Sequence, residues 1–172
     1  MQDRTNVVLI GMPGCGKSTL GKRLARMRDM QYIDTDFLLE RTENMHIQDI
    51  VNRRGVRYLR ELESEVLSNL NLENTVIATG GSAVYSDAAM RHLGCDGVMV
   101  YLQISLATLV TRVNNVSSRG LAKMKSHSLP RLYADRAELY QEVADIIVSN
   151  NKPISALSMD KLNRYISAFF DV

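Results

Sequence analysis

Short apolar runs alternate along the chain with stretches in which apolar residues recur every three or four positions. That is the pattern of strands buried on both faces and separated by amphipathic helices. Val7-Val8-Leu9-Ile10 is the first run, and Val98-Met99-Val100-Tyr101-Leu102, the most continuous one after it, predicts a central strand. Thr75-Val76-Ile77-Ala78-Thr79 predicts another buried strand, Tyr32-Ile33 a short one and Ile146-Ile147-Val148 the last. Leu20, Leu24 and Met27 predict a helix of about ten residues behind the first run, with Gly21 allowing close approach to the strand. Phe37–Arg41 predicts a short helix and the region of Ile47–Val51 a second one. Gly55 then opens a long helix striped by Val56, Leu59, Leu62, Val66 and Leu70. Helical spacing returns at Ala88–Leu93 and Leu106–Val113, then from Pro130 with Leu132, Leu139 and Val143, and finally in a closing helix faced by Leu157, Leu162, Ile166 and Phe169.

The segment between the first strand and the first helix carries the chemistry. Gly11-Met12-Pro13-Gly14-Cys15-Gly16-Lys17-Ser18 matches G-x-x-x-x-G-K-[ST] in full, and Thr19 follows it. Glycines at these places allow backbone angles closed to other residues, so successive N–H groups can turn around a phosphate chain at a helix N-terminus. On this reading Gly14, Cys15, Gly16, Lys17, Ser18 and Thr19 bind ATP. Lys17 reaches the β- and γ-phosphates, and Ser18 is a ligand for Mg²⁺, which takes oxygen donors. Asp34-Thr35-Asp36 follows the second strand, at the carboxyl end where parallel sheets place ligands. In an extended segment two-residue spacing sets both carboxylates on one face, one toward the metal and one toward the acceptor. Arg60 lies at the border of the long helix's stripe, three residues before Glu63, which is close enough to orient it, although spacing alone favours a solvated helix arginine. Gly80-Gly81 at the end of the third strand fits backbone close to a ligand or a simple tight turn. Arg136 shares the apolar face of its helix with Leu132 and Leu139, so it requires an anionic or hydrogen-bonding partner.

Composition narrows the rest. The 172 residues fit a single domain over 1–172, and 21 basic against 19 acidic side chains argue against a general nucleic-acid-binding surface. The excess is local instead: Arg119 to Arg136 holds five basic residues against Asp135 alone, a local +4 beside the chain's +2. Residues 115–128 lose apolar periodicity, and this segment is expected to be a lid that is mobile without ligands and closes over phosphates. Cys15 and Cys95 make no disulfide framework, and no apolar run is long enough to span a bilayer. A cytoplasmic protein with no membrane partner is therefore expected.

With these segments in order the chain resembles the shikimate kinases from about residue 6 to 150. The resemblance implies a three-layer α/β/α P-loop kinase fold with a five-stranded parallel sheet and a lid; a monomer is expected, though the sequence itself does not show the oligomeric state. It implies transfer of the γ-phosphoryl of ATP to the 3-hydroxyl of shikimate, a small carboxylate-bearing acceptor. Asp34 would work with the magnesium ion, and Asp36 would hold substrate hydroxyls and serve as base. Arg60, within Gly55-x-x-x-Leu59-Arg60-x-x-Glu63, and Arg136, within Arg136-Ala137-Glu138-Leu139-Tyr140, would grip the carboxylate, Gly80 and Gly81 would border it, and Arg119 would be the lid arginine at the phosphates. The sequence departs from the family at Ser82, where a third glycine is usual, and at Gly120, where proline is usual. Both changes touch the acceptor side, which leaves room for a kinase of another hydroxy acid such as gluconate, or for a nucleotide-binding module without activity.

Overall fold

The computed structural model describes residues 4–114, 129–152 and 154–170. Over them the chain runs β1 (Asn6–Ile10), α1 (Lys17–Arg28), β2 (Gln31–Asp34), α2 (Thr35–Glu43), α3 (Ile47–Ser68), β3 (Thr75–Ala78), a 3-10 turn (Ala83–Tyr85), α4 (Asp87–Asp96), β4 (Gly97–Gln103), α5 (Leu106–Asn114), α6 (Leu129–Val143), β5 (Ile146–Ser149) and α7 (Ala156–Phe170). The five strands pair in parallel in the order β2-β3-β1-β4-β5. β1 lies in the middle and all five of its residues are buried, which is why it is apolar throughout after Asn6. The edge strand β5 alternates instead and leaves Ile147 exposed.

Alternation along β1 decides which helix lies on which face. Leu9 points toward α1, where a Cβ on Gly21 would meet Tyr32 Cε2 at 2.7 Å and Leu9 Cδ1 at 3.1 Å, so only glycine lets the helix sit this close. Val8 lies beside Met99 in the β1–β4 register, on the opposite face, where Met99 packs near Gly94 of α4. The sheet is thus covered on both sides. A second, smaller cluster of Leu39, Ile50 and Leu62, backed by Met45, Ile47, Tyr58, Leu59 and Val66, ties α2 to α3 away from the main core.

Several local expectations change. Asp34-Thr35-Asp36 is not extended: the strand ends at Asp34, which caps α2 by accepting from Asp36 N at 3.2 Å, and Asp36 lies in the helix's first turn. The two carboxylates are therefore set by a helix cap and not by strand alternation. Gly55 (φ 86°, ψ 167°) does open the long helix, as a sharp break within α3. Val56 is nonetheless exposed, and Leu67, which the stripe omitted, is fully buried; Leu70 lies beyond the helix end. β3 stops at Ala78, and Thr79 leaves the sheet with its N–H and hydroxyl both donating to Leu9 O. On α6 the deeply buried positions are Leu129, Arg136 and Tyr140, with Leu132, Leu139 and Val143 only half-buried. Leu162 and Ile166 of α7 face inward as expected, and the side chain of Leu157 lies outside the described residues.

Candidate active site

The loop after β1 is built by positive φ at Gly11 (142°), Gly14 (79°) and Gly16 (103°), a conformation that side chains at these positions would strain. Space is as restrictive as angle at two of them. A Cβ on Gly11 would meet Leu102 O at 2.7 Å, and one on Gly16 would meet Asn150 Nδ2 at 2.5 Å; Gly14 faces open space. Cys15 is buried beneath the loop, and Thr19 is exposed in the first turn of α1. Lys17, also buried, donates from Nζ to Gly11 O at 2.7 Å and Met12 O at 3.0 Å. These neutral acceptors hold the ammonium at the mouth of the loop, where a phosphate oxygen would give a stronger, charge-assisted bond.

Beside the loop, Ser18 Oγ donates to Asp34 Oδ2 at 2.9 Å, and Tyr32 OH reaches the same oxygen at 3.4 Å. Burial and the neighbouring Asp34 and Asp36 charges push the Tyr32 phenol up, so it stays a protonated donor. A serine hydroxyl in contact with a carboxylate is an all-oxygen donor pair of the kind Mg²⁺ takes, and Ser18 and Asp34 fit that ion.

The second half of the site faces the loop across Gly80 and Gly81. Thr35 Oγ1 accepts from Gly80 N at 3.1 Å, and Tyr140 OH donates to Gly81 O at 2.6 Å, so the two glycines are pinned between α2 and α6. Neither has positive φ; what restricts them is space. A Cβ on Gly80 would collide with Glu63 Oε1 and come within 3.2 Å of Asp36 Oδ1, and one on Gly81 would press on Pro13 and lie 3.2 Å from Arg136 Nη1. The pair does form a tight turn, closed by Ala83 N donating to Gly80 O at 3.4 Å, and it is one crowded by side chains. Asp36, Glu63 and Arg136 thus converge on two glycines beside the phosphate loop.

Arg136 is 7 % exposed, donates from Nε to Tyr85 OH at 3.2 Å, and has no acceptor for its Nη groups among the described residues. Arg60 is exposed and stacks on the Tyr85 ring, its Cζ 4.3 Å from the centroid. The expected pairing of Arg60 with Glu63 does not form. Glu63 is buried and accepts from Ser82 Oγ instead. Burial pushes the Glu63 carboxyl up to about 7, with nearby Asp36 adding to the rise while the Ser82 hydrogen bond, Arg136 and Lys17 oppose it. A groove of about 470 Å³ between α3 and the 3-10 turn is lined by Arg60, Glu63, Ser82 and Tyr85 but not by Lys17, Asp36 or Arg136, and so forms a flank of the site. The expected lid, 115–128, and Arg119 with it lie outside the described residues.

Three participants were not legible in the sequence. Arg112 Nη1 donates to Cys15 O at 3.1 Å and its Nη2 to Asn150 O at 2.6 Å, while Asn150 Nδ2 donates to Cys15 O at 2.6 Å. Together they brace the phosphate loop from α5 and the end of β5, across more than ninety residues of sequence. Tyr85 carried no sequence signal at all.

Fold and site together make the chain a P-loop kinase, an ATP-dependent enzyme acting on a small molecule. The family model for shikimate kinase matches residues 13–167. A shikimate kinase of Sulfurihydrogenibium sp. is 35% identical over 148 residues, covering 86% of this chain and 89% of that protein, and one of Francisella tularensis subsp. holarctica is 32% identical over 165 residues, covering 94% of each. The solved structure of shikimate kinase from Acinetobacter baumannii in complex with shikimate superposes with a TM-score of 0.83 at 28% identity, covering 96% of this chain and 92% of that one. That from Aquifex aeolicus gives 0.78 at 29%, covering 96% of each. The chain belongs to the shikimate kinase family.

Proposed function

We propose that the chain transfers the γ-phosphoryl group of ATP to the 3-hydroxyl of shikimate, with nucleotide recognition by the loop after β1 and acceptor recognition around Gly80, Gly81, Arg60 and Arg136. The observation that carries the acceptor assignment is Arg136: a guanidinium inside the protein, beside Gly81, whose Nη groups find no acceptor among the described residues. Such a charge calls for an anion, and a carboxylate accepts two parallel N–H bonds from it.

Gly14, Gly16 and Thr19 contribute loop and helix-start N–H groups to the phosphates, Cys15 closes the loop by donating its N–H to Met12 O at 3.1 Å, and Lys17 neutralises charge between the β- and γ-phosphates. Ser18 and Asp34 would hold Mg²⁺, which when bound neutralises the phosphate oxygens. Asp36 accepts the proton of the acceptor hydroxyl as its oxygen bonds to the γ-phosphorus and the bond from that phosphorus to the bridging β–γ oxygen breaks, leaving ADP. Asp36 lies in the first turn of α2, where the helix dipole favours a negative charge. Arg119 would meet the transferring phosphoryl group from the lid. Catalysis on this account is positioning and charge neutralisation.

The test is a panel of hydroxy acids offered with ATP, read by ADP release and product mass. Shikimate should be turned over and gain one phosphate; an inert response to shikimate with turnover of another acid would overturn the acceptor assignment.

A further inference from the structure

Tyr85 closes the 3-10 turn, where its N–H donates to Ser82 O at 3.0 Å and the preceding Ala83 and Val84 are buried in the core. The turn is therefore a fixed support, and two guanidinium groups share the ring it carries. Arg60 Cζ lies 4.3 Å and Arg136 Cζ 5.1 Å from the centroid, and Arg136 Nε also donates to the phenol oxygen. Like charges this close repel, and the usual remedy is a carboxylate between them. The nearby acid, Glu63, is instead held by Ser82. An aromatic face attracts each cation without neutralising it, and it leaves the Nη donors uncommitted.

We propose that Tyr85 is a positioning residue for acceptor recognition, an uncharged seat that aligns Arg60 and Arg136 so that both guanidinium groups remain available to the acceptor's carboxylate. This rests on the acceptor assignment made above. A carboxylate in the same place would hold the arginines equally well but would compete with the ligand for them. The Tyr85 hydroxyl proton goes to none of the described residues, so the phenol accepts from Arg136 without sacrificing a bond of its own.

The test compares Tyr85→Leu and Tyr85→Phe with the parent enzyme, measuring shikimate KM, ATP KM, kcat and melting temperature, and repeats Tyr85→Leu in an Arg60→Ala background. Loss of the ring should raise shikimate KM about ten- to thirtyfold, with kcat and ATP KM within about twofold. Tyr85→Phe keeps the ring and should recover most of the loss. In the Arg60→Ala background Tyr85→Leu should cost several-fold less, because one of its two clients is gone. Unchanged shikimate KM in a folded Tyr85→Leu enzyme, or additive losses in the double variant, would overturn the proposal while the parent's turnover of shikimate left the acceptor assignment standing. A parent enzyme inert toward shikimate would remove both.

Discussion

The two halves of the site are built in opposite ways. The half we assign to the nucleotide is one contiguous segment, in which backbone N–H groups and glycine angles between Gly11 and Ser18 would do the recognition, and distant Arg112 and Asn150 brace it. The acceptor half has no such segment. It is assembled from side chains on α2, α3, the turn after β3 and α6, meeting at Gly80 and Gly81. A backbone-built site tolerates change in most of its neighbours, whereas a side-chain site depends on each supporting contact. The acceptor half is also where Ser82 replaces the family's usual glycine and captures Glu63.

If the halves are separable, damage to one should leave binding to the other intact. Lys17→Ala removes the charge that serves the transferring group and should lower kcat by about a thousandfold or more, with shikimate affinity within about twofold, measured by steady-state kinetics and shikimate titration. Asp36→Asn should lower kcat by about a hundred- to a thousandfold while shikimate KM shifts little, since the amide still hydrogen-bonds a hydroxyl but takes no proton from it. Next come the arginines, and they should differ from each other. Arg136→Ala, at the buried position, should reduce kcat/KM for shikimate by about thirty- to a thousandfold, the equivalent of about 2–4 kcal/mol for a desolvated charge-assisted contact. Arg60→Ala, at the exposed one, should cost only about tenfold. Equal losses would mean that burial does not grade these contacts.

A separate effect falls on stability and leaves both binding halves aside. Glu63 has its carboxyl raised from 4.5 in the unfolded chain to about 7 in the fold, so between those values the folded state binds more protons. Stability from this group is fully present below about pH 4.5 and is lost as pH rises through about 7. Over that window the loss is on the order of 3 kcal/mol. Glu63→Gln removes the dependence. Urea unfolding should show the variant gaining on the parent from pH 5 to pH 8; a constant difference across that range would place the Glu63 carboxyl in an ordinary environment.

The same contrast explains what was legible in the sequence. The strands, the loop and its lysine read directly, because each is a local pattern: an apolar run, a glycine spacing, a helix period. Asp34 and Asp36 were found but their geometry was not, since a helix cap at Asp34 overrides strand alternation one residue later. Arg60 and Glu63 lie one helical turn apart, which suggested a pair. What separates them is Ser82, nineteen residues further on, and no local spacing encodes that competition. Arg136 was recognisable as an inward charge, but its seat on Tyr85, fifty-one residues away, exists only in the folded chain.

The central claim is that one guanidinium serves the acceptor and not the nucleotide. Calorimetric titration of Arg136→Ala with shikimate, and separately with a non-hydrolysable ATP analogue in the presence of Mg²⁺, tests it most directly. The account predicts that the heat of shikimate binding is lost while the nucleotide binds within about twofold of the parent. Weakened nucleotide binding with shikimate affinity unchanged would contradict it.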